Sequence, residues 1–596
     1  MWSVPVRALT VDDLDPAQKW WITKLTFTGN THFSAGDLQN GLVTKPRAWY
    51  ALWQPLPRFD PVAFASDIDR VQRFYQARGY YAVQVSYDLQ VDETNHHIAA
   101  TITITEGEAV KVAQLTLTVT DQPALGIELS ALRSQLPLAE GMIFTEEKYQ
   151  QTEAKIKAFF LDQHRGRVNV NRRAEVILDQ NAVRVYFTVE VGPRTVFGET
   201  RIEGTKEVSP TLIARELTYK PGEPFSATAI TSSRQNILNL NLFSSVRFLQ
   251  EDSPADPTII PMRVQVEEKL VHEWKLGVGY NTDDQFRGQV RWRNYNWFGG
   301  GRQLEVGAKL SSLDRSLTVS FLQPYLFSSR NRLSITLTPL QLDESSYLLN
   351  ATRLQSRVER KFSDTFSGFI AYRLEYDKLN NVAAATIREL KEFQREGALS
   401  GLSTGFLWNT TDDPLNPTHG GIVTFSGEQV GGGLGGDFEF YKLQGEAKKY
   451  HLLTEELVFA SRLKIGLANP FGSGKEVPLF ERLYAGGGNS VRGYGRNRLG
   501  PISAANDPVG GRSLFEGSLE LRRQFSEKIG GAVFLDFGYV SLRSFTFPID
   551  ALQYAAGFGV RYTTPVGPLR LDLGFPFDPP RRDQPWQVHF SIGQFF

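Results

Sequence analysis

"LQYAAGFGVRY", Leu552 to Tyr562, alternates without a break. Leu552, Tyr554, Ala556, Phe558, Val560 and Tyr562 share one face of a strand. Gln553, Ala555, Gly557, Gly559 and Arg561 share the other, because successive side chains point to opposite sides. "PLRLDLGF" obeys the same rule, setting Leu569, Leu571, Leu573 and Phe575 against Arg570, Asp572 and Gly574. A water-soluble sandwich also alternates. Its strands are short, however, whereas these run about ten residues and gather aromatics near their ends, as lipid-facing strands do. Sixteen such segments fit between about residue 271 and the C-terminus, an even number as single-chain outer-membrane barrels have. The connections read as short on one side ("NTTDDPLNPTHGG", "FSEKIGG", "TTPVGP"). On the other they read as long ("NNVAAATIRELKEFQREG", "EQVGGGLGGD", "YAGGGNSVRGYGRNRLG"). The polar stretch "IRELKEFQREG" reads as a solvated loop.

Composition agrees. The 596 residues carry 65 basic and 65 acidic side chains, so charge gives no support for nucleic-acid binding. Zero cysteines exclude disulfides, thiolate chemistry and Cys-ligated zinc. Aromatics at 12% and 52 glycines suit a β-rich chain. No apolar run reaches the roughly 18 residues of a spanning helix, which a barrel does not need. The start, "MWSVPVRALTVDD", lacks a signal-peptide pattern, so an export signal is expected to have been removed or left out. No H-E-x-x-H or GxxxxGK[ST] motif occurs. The expectation is no enzyme, no catalytic residue, no cofactor and no metal.

Before about residue 270 the chain repeats a unit of strand, two helices and two strands every 75–85 residues or so. The strand pairs are "HIAATITITEGEAVKVAQLTLTV", "AVRVYFTVEVGPRTVFGETRIEG" and "IIPMRVQVEEKLVHEWKLGV". Each follows a helical stretch, of which "RVQRFYQARGYYAVQV" is the first. The units are expected at 19–108, 109–193 and 194–269, with the barrel at 270–596. His96 and His97 fall in a turn and read as solvated rather than as metal ligands.

With "SVRGYG" (490–495) the chain resembles the BamA/TamA superfamily of outer-membrane assembly proteins, whose sixth external loop carries V-R-G-F/Y. "FLQPYLF", "WNTTDDPLNPTHGG", "GSLELR", "FLDFGYV" and the terminal "VHFSIGQFF" support it in the same order. The resemblance implies an α+β fold of three POTRA repeats followed by a 16-stranded antiparallel transmembrane β-barrel. It implies that the loop motif Val491, Arg492, Gly493 and Tyr494 folds into the lumen. Arg492 would meet Glu520 and Asp536, beside Phe534 and Gly538. It further implies a lateral seam between the first and last strands, with Gly277, Gly279 and Gly593 as its weak points. Phe590, Ile592 and Phe596 would form the C-terminal signal.

Three repeats resemble the TamA subfamily most. That implies insertion or secretion of β-barrel and autotransporter-type clients. Its partners would be outer-membrane lipids and lipopolysaccharide, unfolded outer-membrane protein clients and a TamB-like periplasm-spanning protein, with no nucleic acid. The alternatives are a BamA-type core insertase or a two-partner secretion pore.

Overall fold

The computed structural model describes every residue except 1–9, 12–13, 15–17, 48–54, 121–128, 254–255, 389–393, 414–415, 527, 565–566, 580–583 and 593–596. The N-terminal repeats fold as three small α+β modules. In the first, β1 (Trp20–Thr28) runs parallel to β4 (His97–Thr105), which pairs antiparallel with β3 (Gln84–Asp92). The two-residue β2 (Arg58–Phe59) adds an unforeseen edge to β1. Helices α1 (Ala35–Asn40) and α2 (Pro61–Gln76) supply Leu38, Phe64, Val71 and Tyr75 to the core. Asp60 caps α2 by accepting from the backbone N–H groups of Val62 and Ala63.

Buried Glu106 ties this module together. It accepts from the Thr31 hydroxyl, the His32 N–H (3.0 Å) and the Tyr75 hydroxyl (2.9 Å). Burial opposes its ionisation. The hydrogen bonds from Thr31, His32 and Tyr75 outweigh that and hold the carboxyl at about 2. His96 is not the solvated turn residue expected. It stands in the left-handed region, half-buried, with its ring edge-on to Trp20 at 5.5 Å.

The second module repeats the topology. β5 (Lys111–Val119) is parallel to β7 (Ala182–Glu190), β6 (Asn169–Ile177) is antiparallel to it, and α3 (Ser130–Arg133) and α4 (Glu146–Leu161) cover it. The third has β8 (Val196–Glu203), β9 (Phe243–Gln250) and β10 (Ile259–Glu268) in the order β8-β10-β9, with α5 (Pro210–Arg215) and α6 (Ala227–Asn239).

Sixteen antiparallel strands follow and close into a barrel. They are β11 (His272–Asn281), β12 (Gln285–Asn294), β13 (Gln303–Ser311), β14 (Asp314–Pro324), β15 (Asn331–Glu344), β16 (Tyr347–Lys361), β17 (Phe366–Asn380) and β18 (Glu396–Asn409). Then come β19 (Gly420–Val430), β20 (Phe440–Thr454), β21 (Leu457–Pro470), β22 (Ser513–Gln524), β23 (Ile529–Ser541), β24 (Gln553–Thr564), β25 (Gly567–Pro576) and β26 (Gln587–Ile592). The alternation sorts as written: Tyr554, Phe558, Val560 and Tyr562 face outward, while Ala555 and Gly559 are buried inside.

The contrast of short and long connections holds only in the second half. The first three connections on the long side are tight hairpins (282–284, 312–313, 345–346), shorter than the 410–419 connection on the other side. Length there is concentrated in 381–395, 471–512 and their later neighbours. Of "IRELKEFQREG", Ile387 and Arg388 end α7 (Ala384–Arg388) and residues 389–393 lie outside the described residues. Thr386, just before the stretch, is buried and donates to the Ser503 hydroxyl at 3.4 Å.

Candidate functional site: a loop bound inside the barrel

The connection 471–512 carries the glycine-rich cationic motif, and its core is buried. Val491 and Tyr494 pack with Leu483, Leu499, Leu514 and Val540. The barrel wall makes room by being small where the loop lies. A Cβ on Gly574 would fall 2.0 Å from the Arg492 carbonyl oxygen, and one on Gly538 would fall 3.0 Å from Val491 Cγ2. Gly493 is constrained likewise, since a Cβ would lie 2.4 Å from that of Ala555. Tyr494 donates to the Asp578 carbonyl at 3.1 Å.

The backbone N–H of Arg492 donates to Asp536 Oδ2 at 3.0 Å. Its guanidinium donates to both oxygens of Asp536 (2.8 and 2.9 Å), to Glu520 and to the Ser518 hydroxyl (3.1 Å). It also lies flat on Phe534, 3.4 Å from the ring centroid. This is the planar fork for which arginine is suited and lysine is not. Arg492 and its acidic partners are all buried. The alternation that puts Leu519, Leu521, Val533 and Leu535 on the outer face forces Glu520, Phe534 and Asp536 inward.

Three groups join that the family motif did not name. Asp572 lies 3.6 Å from Arg492 and is held by Arg561 and Arg570, and Arg570 also donates to the Gly488 carbonyl at 3.2 Å. The remaining loop arginines find partners as well. Arg496 pairs with Glu344 at 2.7 Å, and Arg498 donates to Asn506 Oδ1 at 2.9 Å.

A second anchor went unread. Glu481, in a single helical turn at the start of the same connection, accepts from Arg373 on β17 (2.8 Å) and Lys442 on β20 (3.1 Å). Arg373 is buried and also donates to Glu375 (2.9 Å) and Glu428 (2.9 and 3.0 Å). "YRLEYD" held the signal: with Tyr372, Leu374 and Tyr376 facing lipid, Arg373, Glu375 and Asp377 must face inward.

At the seam, Gly277 pairs with Gln289 and Gly279 with Arg287 on β12. The space a Gly277 side chain would use is taken by the Gln289 side chain, 2.8 Å away. Phe590 stands 6.2 Å from the Tyr280 ring, and the Ile592 backbone pairs with Tyr280. Gly593 and Phe596 lie outside the described residues.

An Omp85 superfamily domain model matches residues 296–596. A POTRA model, described as a surface antigen variable number repeat, matches 22–107 and 195–269. The outer membrane protein assembly factor BamA of Nitratidesulfovibrio vulgaris is 25% identical over 608 residues, covering 99% of this chain and 75% of its own length. The protein of the same name from Neisseria meningitidis is 21% identical, covering 99% and 79%. The crystal structure of BamA from Haemophilus ducreyi lacking POTRA domains 1–3 aligns with a TM-score of 0.64 at 20% identity. It covers 81% of this chain and 99% of that one, a likeness of fold alone.

Proposed function

Since the chain belongs to the Omp85 superfamily, with its barrel in the outer membrane and its POTRA modules in the periplasm, we propose that it is an assembly factor. It would insert unfolded outer-membrane proteins through the seam between β11 and β26. The supporting observation is the free end of β26: β11 ends at Asn281, opposite Ser591, while β26 begins four residues earlier at Gln587. Gln587, Val588 and His589 of β26 are paired on the β25 side only. A free strand edge templates an incoming strand through its unpaired N–H and C=O groups. A weak seam thus lowers the barrier to adding a client hairpin. The bound loop would hold the wall beside that seam, because Arg492 grips β22 and β23 and contacts β25. This reading needs no catalytic side chain.

The relatives carry the BamA name, which supports a core assembly role. The alternative is a TamA-like role, with a TamB-like partner bound at the module sheet edges. Capture of partners from envelope extract by residues 1–270 separates the two: a long periplasm-spanning protein marks one, lipoprotein subunits of an assembly complex the other.

The seam itself is tested by crosslinking. The chain has no cysteine, so Asn281→Cys with Ser591→Cys gives a single defined pair at facing ladder positions. Oxidation should abolish client insertion, and reductant should restore it. Full activity in the locked protein would rule out seam opening.

A further inference from the structure

The outer surface of β11 to β17 bears a groove of about 1100 Å³. Its floor is a set of outward residues from neighbouring strands, including Leu276, Val290, Ala308, Leu317, Pro339 and Tyr376. Small side chains at Gly288, Ala308 and Thr352 leave the space, and the larger Leu310 bounds it.

One step nearer the external strand ends lies a second row in unbroken register. Val278, Gly288 and Leu310 lead to Arg315, then Gln341, Asn350 and Lys378, and last Glu396. Here the lipid-facing surface turns polar. Arg315 is exposed and makes no hydrogen bond or ion pair among the described residues. Gln341 donates to Asn350 Oδ1 at 2.9 Å, which leaves the Asn350 amide donors uncommitted. Lys378 reaches Glu396 at 3.3 Å, both half exposed. Asp343, the other outward acid nearby, makes no pair with Arg315.

An unpaired guanidinium on the lipid face is costly in hydrocarbon and favourable beside lipid phosphates. We infer that this groove is a binding site for an anionic, phosphate-bearing lipid of the outer leaflet, one whose headgroup carries no compensating cation. Its acyl chains would lie on the Leu276–Tyr376 floor, and its phosphate would meet Arg315 and the Asn350 amide. Because Leu276 and Val278 belong to β11, the bound lipid touches the seam strand.

The test uses the full chain purified from bilayer discs of phosphatidylcholine containing a tenth of phosphatidylglycerol, with retained lipid counted by native mass spectrometry. Wild type should retain the anionic lipid out of proportion to its share. Arg315→Gln should lower that preference about fivefold, the effect of one cation near a lipid surface. Ala308→Trp, which fills the floor, should reduce retention of both lipids. Both side chains face outward, so both variants should keep the heat-resistant barrel form. Equal retention of the two lipids by wild type, or an unchanged preference in Arg315→Gln, would overturn the assignment. So would a second copy of the chain found on this face in place of lipid.

Discussion

Arg492 owes its position to groups that could not stay buried without it. Its removal would not strand all of them equally. Glu520 keeps Arg522 at 2.6 Å, and Asp572 keeps Arg561 and Arg570. Among the described residues Asp536 keeps only the Ser518 hydroxyl at 2.6 Å. An orphaned buried charge costs roughly 3–5 kcal/mol. That cost falls on the docked loop and not on the strand ladder. Arg492→Ala should therefore release residues 484–500 to protease while the barrel keeps its heat-resistant mobility on gels. Adding Asp536→Asn removes the stranded charge, and the double variant should be cleaved more slowly than Arg492→Ala alone. Equal cleavage of the two would show that Asp536 is not the residue that pins the loop. Impaired client insertion should track the cleavage.

Among the elements, the strands were legible in the sequence because lipid enforces one rule on every outward position, as from Tyr554 to Tyr562. Helix ends and loop contacts obey no such rule. The pairing of Glu481 with Arg373 joins residues more than a hundred positions apart, and nothing local at "LFER" announces it. The Arg492 contacts are as distant as those between any loop and wall. They were readable only because the family motif supplied the partner and the alternation supplied its direction. The short α5 of the third module gives a different case. Glu216 follows its last residue, at the negative end of the helix, where a carboxylate is disfavoured. Burial pushes its carboxyl up to about 7. A raised acid favours the folded state fully below its unfolded value near 4.5 and loses that contribution as pH climbs through about 7. Glu216→Gln should accordingly slow hydrogen exchange in β8 to β10 at pH 8 and leave it unchanged at pH 4. Equal effects at both pH values would mean that packing, not ionisation, is what the substitution alters.

For the barrel as a whole, the long connection is a strut with two feet. Glu481 stands on the arc formed by β17 and β20, with Glu428 of β19 completing the Arg373 cluster. Arg492 stands on β22 and β23 and reaches β25. Separated feet with no shared partner act nearly additively on stability, but lumen blockage is a threshold property, since one foot still keeps the segment inside. Glu481→Gln is the suitable release on the first side. It leaves Arg373 paired with Glu375 and Glu428, while Lys442 on β20 loses its carboxylate partner. Single-channel recording in planar bilayers should show rare openings for wild type and short-lived ones for Glu481→Gln and for Arg492→Ala. The double variant should hold a sustained high-conductance state that neither single variant reaches. If Arg492→Ala alone gave that sustained state, the Glu481 foot would be incidental and the motif arginine would carry the strut by itself. If the double variant stayed closed, the apolar packing of Val491 and Tyr494 against Leu514 and Val540 would be the true hold, and Tyr494→Ala in the double background should then open it.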